Sequence, residues 1–134
     1  MIDIEKILNL AIKKDASDVH LIAGIKPCLR IRRDLVEVDE FDDLTSEDMY
    51  EIYDYFVRGN IEKDEVFKKD KKLDASYEFG DTRIRVNISM ADEMPVVVLR
   101  LIKSTLPKYE DLGVPDIVRR TMKQPQGLIL VTGK

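Results

Sequence analysis

The chain has 134 residues, of which 44% are hydrophobic, and a formal net charge of −4, so it is long enough for one domain and the start of a second. The acidic balance argues against nucleic acid as a partner, because nucleic-acid-binding domains usually carry a basic stripe. Cys28 is the only cysteine, which excludes an intrachain disulfide and fits a reducing compartment. No apolar run approaches the roughly 20 residues that span a bilayer, and no signal peptide is visible. These features predict a soluble, cytoplasmic protein.

The N-terminal third reads as a helix followed by short strands. Apolar residues from Ile4 to Ile12 recur at helical spacing behind Asp3, a good N-cap, and the pattern ends near Lys14. Residues 18–23 and 28–33 predict two strands, and 36–38 a short third.

The middle of the chain reads as two helices. Thr45 or Ser46 caps the first, whose apolar stripe runs to Phe56 and which ends at Gly59-Asn60. Residues 61–69 predict a further short helix.

The clearest β signal follows. Apolar residues alternate with polar ones on both sides of Gly80-Asp81, which predicts a hairpin with a two-residue loop. That loop pairs Glu78 with Arg83 and Ser76 with Arg85. Residues 96–102 read as a central strand covered on both faces. An antiparallel sheet with helices packed against it, an α+β fold, is therefore expected.

The C-terminal part reads as a linker, a short helix and a last strand. Residues 103–115 are loop-like, 116–123 helical, and 128–132 an apolar strand followed by Gly133. A glycine directly after a strand is how a phosphate-binding P-loop begins, but it equally fits an ordinary buried strand and turn, and the motif alone favours the ordinary interpretation.

Three arginines on the predicted strands are candidates for a site. Glu78 lies across from Arg83 and accounts for it as a weak surface pair. Arg85 faces only a serine. Arg100 interrupts an apolar run, so it is either an internal ion pair, with Asp74 or Glu78, or an arginine aimed at an anion outside the domain.

His20 is the only histidine. Without clustered cysteines or histidines it makes a poor metal site, so no metal ligand is predicted. The expectation is a structural histidine that is hydrogen-bonded to Asp18 or to the backbone.

Several motifs occur in collinear order along nearly the whole chain, and together they resemble the pilus-retraction (PilT-type) ATPases of the type II/IV secretion ATPase superfamily. They are the following: residues 16–21 (A-S-D-V-H-L); Gly24, Pro27 and Arg30 (G-x-x-P-x-x-R); residues 74–78 (D-A-S-Y-E); residues 83–87 (R-I-R-V-N); residues 100–102 (R-L-I); Leu112-Gly113; and residues 126–133 (Q-G-L-I-L-V-T-G). The turn at 91–95 lacks the family's usual glycine and arginine, and Lys134 stands where proline is common.

The resemblance implies a PAS-like N-terminal domain (1–103), a linker (104–115) and the start of a RecA-like ATPase domain (116–134). Nucleotide would sit between the two domains. Arg85 and Arg100 would approach its phosphates, with Arg83 a weaker third, and Leu112, Gly113 and Gly133 would contribute to nucleotide binding.

The family further implies ATP and Mg²⁺ in a full-length homohexamer that powers pilus retraction through an inner-membrane platform protein, at the inner face of the membrane. The 134 residues lack the P-loop lysine and serine or threonine, so this fragment is expected to bind no cofactor and not to hydrolyse ATP alone. Residues 128–132 could pair two fragments into a dimer. A free-standing PAS-like sensor or ligand-binding module is the alternative.

Overall fold

The computed structural model describes residues 1–58 and 60–133. Gly59, predicted to end the second helix, and Lys134 lie outside the described residues. The chain divides into two compact units, Met1–Ser104 and the residues from Thr105 onward.

Within residues 1–58 and 60–104, the first unit contains three helices and six strands. The helices are α1 (Ile4–Lys13), α2 (Ser46–Val57) and α3 (Ile61–Asp70); the strands are β1 (Asp18–Leu21), β2 (Cys28–Ile31), β3 (Asp34–Glu37), β4 (Lys72–Phe79), β5 (Thr82–Ala91) and β6 (Met94–Lys103). All neighbouring strands are antiparallel, in the order β3-β2-β1-β6-β5-β4. The predicted α+β class is confirmed.

The helices begin where side chains satisfy their free backbone N–H groups. Asp3 accepts from the Lys6 N–H at 2.9 Å, and Asn60 accepts from the Lys63 N–H at 3.0 Å. Thr45 caps α2 in a reciprocal capping box with Asp48, so Thr45, not Ser46, is the N-cap.

One face of the sheet, here called the inner face, carries the core. Its strand residues are packed with α1 and α2 into one buried apolar cluster, because both helices present an apolar stripe to it. The inner-face residues include Val19, Leu21, Leu29, Leu73, Ile84, Val86, Ile88, Val97 and Leu99.

The predicted hairpin register is confirmed: Glu78 pairs with Arg83 and Ser76 with Arg85. The prediction that the strand at 96–102 is covered on both faces is wrong. Burial in β6 alternates, with Val97 and Leu99 buried and Val98 and Arg100 not. β6 lies centrally in the sheet, but the helical layer supplies apolar cover on one face only.

The second unit contains a short 3-10 helix, Tyr109–Leu112, and α4, Asp116–Thr121. The strand predicted at 128–132 is not formed: these residues have no regular structure, and Leu130 and Val131 are 76% and 94% exposed. A strand exists only by hydrogen bonding to a neighbour, and no described strand is paired with this segment.

Among residues 1–58 and 60–133, no helix is both long enough and apolar enough to cross a bilayer.

Candidate functional site

The face of the sheet opposite the inner face, here called the open face, carries a row of charged side chains. Strand pairing places Arg30 beside Asp18, Asp18 beside Arg100, and Arg100 beside Arg85. Directly paired residues of antiparallel strands project to the same side. The row therefore gathers three arginines and one aspartate from four strands, in a chain whose net charge is negative.

Asp18 is the centre of this row. It is the one charged residue that is buried in the described part of the chain, and its side chain is only 9% exposed. Its Oδ1 accepts a hydrogen bond from Arg100 Nε at 3.0 Å, and its Oδ2 accepts one from the Ser17 hydroxyl at 2.8 Å. Arg30 Nε lies 3.6 Å from Oδ2. Both carboxylate oxygens are thus engaged.

Burial raises the pKa of Asp18, but the hydrogen bonds from Arg100 and Ser17 and the Arg100 charge outweigh that effect. The result is a pKa below the usual value of 3.8. Asp18 is therefore ionised at neutral pH and supplies a permanent negative charge between Arg30 and Arg100.

Arg85 and Arg100 lie directly opposite each other on β5 and β6. Like charges in that position repel, and each guanidinium is drawn to a different carboxylate. Arg100 turns to Asp18 on β1, whereas Arg85 Nε lies 3.6 Å from Asp74 Oδ1 on β4. The partners expected for Arg100, Asp74 or Glu78, are therefore wrong, because β1 and not β4 is the next strand beyond β6 on that side.

The arginines of the row share one contact geometry. Arg30, Arg85 and Arg100 each approach a carboxylate through Nε. The terminal Nη atoms of Arg100 have no acceptor within the described residues, and the side chains of Arg85 and Arg100 are 62% and 67% exposed. Such an arginine presents a free, planar two-nitrogen fork, which matches the oxygens of a phosphate or carboxylate.

Arg83 lies two residues from Arg85 on the same face but is held differently. Its contact with Glu78 runs through a terminal nitrogen, Nη2 to Oε1 at 3.4 Å. Part of its fork is therefore already occupied, as the cross-strand pairing predicted.

His20 does not behave as expected. Its Nε2 is buried and has no hydrogen-bond partner among residues 1–58 and 60–133, so the predicted hydrogen bond to Asp18 or the backbone is not made through this atom. The Asp18 carboxylate instead accepts hydrogen bonds from Ser17 and Arg100.

The remaining predicted site residues belong to the second unit. Leu112 ends the 3-10 helix and is 55% exposed. Gly113 follows with φ +63°, a left-handed conformation that glycine adopts without steric cost. Gly133 lies in the segment without regular structure. Within this unit, Arg119 reaches Glu110 at 3.3 Å and lies over the Tyr109 ring.

Asp18 and Arg30 are members of the site that the sequence did not predict. Their signal was present, since Asp18 lies in the A-S-D-V-H-L motif and Arg30 closes G-x-x-P-x-x-R. What could not be read was that β1 pairs with both β2 and β6, which brings the two motifs together around Arg100.

No family model matches the chain. It is 32% identical over 132 residues to the type IV pilus retraction ATPase PilT of Pseudomonas aeruginosa, covering 98% of the chain and 38% of that protein. It is also 26% identical over 113 residues to a twitching motility protein of Neisseria gonorrhoeae, covering 84% of the chain and 29% of that protein. The chain thus spans only about a third of the length of these curated relatives.

Solved structures show a similarity to the same group of ATPases. The pilus retraction motor PilT, crystallised with bound ADP, superposes with a TM-score of 0.75 at 28% identity, covering 88% of the chain and 34% of that protein. The ATPase DotB of Legionella pneumophila, at 20% identity, also has a TM-score of 0.75, covering 92% of the chain and 35% of DotB, which shows the shared fold. The chain therefore belongs to the PilT-type secretion ATPases, as their N-terminal domain.

Proposed function

We propose that this chain is the nucleotide-sensing and ring-forming N-terminal domain of a hexameric ATPase that powers type IV pilus retraction. Arg85 and Arg100 reach the phosphates of a nucleotide, and Arg83 contributes less. The chemistry, hydrolysis of ATP with Mg²⁺, belongs to the full-length protein. Support comes from the likeness to pilus retraction motors, one of which was crystallised with ADP.

The observation that carries the proposal is the pair of facing arginines, Arg85 and Arg100. Two guanidinium groups on directly paired residues repel, and a domain that needed only a stable sheet would gain nothing from them. An anion with several oxygens, such as a polyphosphate, removes that repulsion when it binds between the two forks. The rest of the chain has the opposite net sign, so the row is a local exception to its charge.

The proposed domain organisation follows the family: a PAS-like domain over 1–103, a linker over 104–115, and the start of a RecA-like ATPase domain over 116–134. Nucleotide lies between the two domains. Leu112 and Gly113 contact it from the linker, and Gly133 begins the phosphate-binding loop.

The proposed setting is the cytoplasm, at the inner face of the membrane beneath the pilus. Six copies form a ring, and ATP-driven movement of the domains acts on an inner-membrane platform protein. The open face then faces a nucleotide in the assembled motor, which accounts for a charged face on an otherwise well-packed sheet.

The test is turnover in the full-length protein. Arg100→Ala is expected to lower ATPase turnover by about 10³–10⁵, the range typical of an arginine supplied to a phosphoryl-transfer site. Arg85→Ala should behave similarly, and Arg83→Ala should be milder because Glu78 already holds its fork.

Melting temperature is the control in this series. Arg100 is two-thirds exposed and Asp18 keeps Ser17 and Arg30 as partners, so Arg100→Ala should cost only about 1 kcal/mol of unfolding free energy. A large fall in melting temperature, with normal turnover in the protein that remains folded, would show a purely structural arginine and reject the phosphate role.

A further inference from the structure

We infer that Asp18 is the positioning residue of the arginine row: one buried carboxylate holds Arg100 and Arg30 with their terminal nitrogens directed outward. This inference rests on the proposed function, since it assigns the residue that makes Arg100 effective. Asp18 itself touches no nucleotide.

The Asp18 carboxylate is held at both of its oxygens. Oδ1 is bound to Arg100 Nε and Oδ2 to the Ser17 hydroxyl, with Arg30 Nε also within 3.6 Å of Oδ2. Asp18 begins β1, Ser17 directly precedes it, and the side chain of Asp18 is nine-tenths buried. The carboxylate therefore cannot follow a mobile arginine, and the arginine is fixed to it instead.

Asp18 makes its closest contact with each of its arginines at Nε and not at a terminal nitrogen. A carboxylate that merely neutralised an arginine could bind the terminal fork, as Glu78 does with Nη2 of Arg83. Asp18 accepts a hydrogen bond from Nε of Arg100, and Nε is also the closest nitrogen of Arg30, 3.6 Å from Oδ2. Contact at Nε fixes the plane of the guanidinium and leaves both Nη atoms for another acceptor.

Holding Arg100 in place is expected to affect the rate of ATP hydrolysis. An unheld arginine loses rotamer freedom when it engages a transition state, a cost that corresponds to roughly ten- to thirtyfold in rate. Asp18 orders Arg100 before the nucleotide arrives. At the same time its negative charge weakens the ground-state attraction of the row for phosphate, so positioning and charge act in opposite directions.

That opposition makes the inference testable with Asp18→Asn in the full-length protein, with ATP as the probe. We expect kcat to fall about tenfold or more while the KM for ATP stays unchanged or decreases, because the variant loses the hold on Nε and also loses a repelling charge. Asp39→Asn is the matched control: it removes an exposed carboxylate from Lys26, and neither kcat nor KM should change.

The double variant Asp18→Asn with Arg100→Ala tests whether the effect passes through Arg100. Turnover should be close to that of Arg100→Ala alone, since an arginine that is absent cannot be mispositioned. Multiplying losses, or wild-type kcat in folded Asp18→Asn, would overturn the inference. Reduced turnover in Arg100→Ala beside normal turnover in Asp18→Asn contradicts this inference alone, whereas normal turnover in Arg100→Ala contradicts the proposed function.

Ser17→Ala covers the case in which Asp18→Asn does not fold. It keeps the charge of Asp18 but removes the hydroxyl that orients Oδ2. We expect kcat to fall several-fold with KM unchanged; a normal kcat in this variant would overturn the inference.

Discussion

The two faces of the sheet are built from alternate residues of the same strands, yet one face is apolar and packed and the other is charged and exposed. On β5, Ile84, Val86 and Ile88 are buried beneath the helices, while Arg83 and Arg85, which alternate with them, are exposed. The inner face is apolar and close-packed, so it carries the stability of the unit. On the open face, Arg85 and Arg100 lie side by side, and the repulsion between these two like charges adds nothing to stability. Packing therefore explains the residues of the inner face, whereas it does not explain why Arg85 and Arg100 face each other on the open face.

The largest effect that tests this comparison is expected on the inner face. Ile88→Ala removes a side chain that is 0% exposed, and the cavity should cost about 2–5 kcal/mol of unfolding free energy. Ser89→Ala, the next residue on the same strand but on the open face, should change stability by less than about 0.5 kcal/mol. Urea unfolding of both variants measures the change in unfolding free energy. Equal losses in the two variants would contradict the assignment of stability to the inner face.

A smaller effect is expected when acid titrates the open face. The folded-state pKa of Asp18 lies below 3.8, so its contribution to stability is fully present above the unfolded value and is lost as the pH falls through the folded value. Unfolding free energy should therefore decline below about pH 4, and less steeply in Asp18→Asn. Denaturant unfolding between pH 7 and pH 2.5 checks this. Equal slopes in the variant and the wild type would exclude a stabilised Asp18 carboxylate.

The smallest effect is expected at the turn that joins β5 to β6, the two strands that carry Arg85 and Arg100. Asp92 and Glu93 both have positive φ, 49° and 61°, a region that glycine adopts without the Cβ clash. Glu93→Gly should raise the unfolding free energy by about 0.5–1 kcal/mol. Asp92→Gly is the matched control and should gain less, because aspartate tolerates this conformation better. A destabilised Glu93→Gly would show that the turn is not strained.

Local patterns predicted the inner face well and the open face only in part. The β4–β5 register followed from the two-residue loop at Gly80-Asp81, since such a loop leaves one alignment. The ion-pair partner of Arg100 could not be predicted from local sequence, because Asp18 is 82 residues away. Nothing in the local sequence specifies that β1 lies beside β6. The strand expected at 128–132 failed for a related reason: an apolar run has strand propensity, but pairing depends on a partner.

The most direct measurement of the central claim is a structure of the full-length protein with a non-hydrolysable ATP analogue. We expect Nη atoms of Arg85 and Arg100 about 2.7–3.2 Å from phosphate oxygens, with Arg100 Nε still bound to Asp18. A bound nucleotide whose phosphates lie beyond hydrogen-bonding reach of both arginines would contradict it.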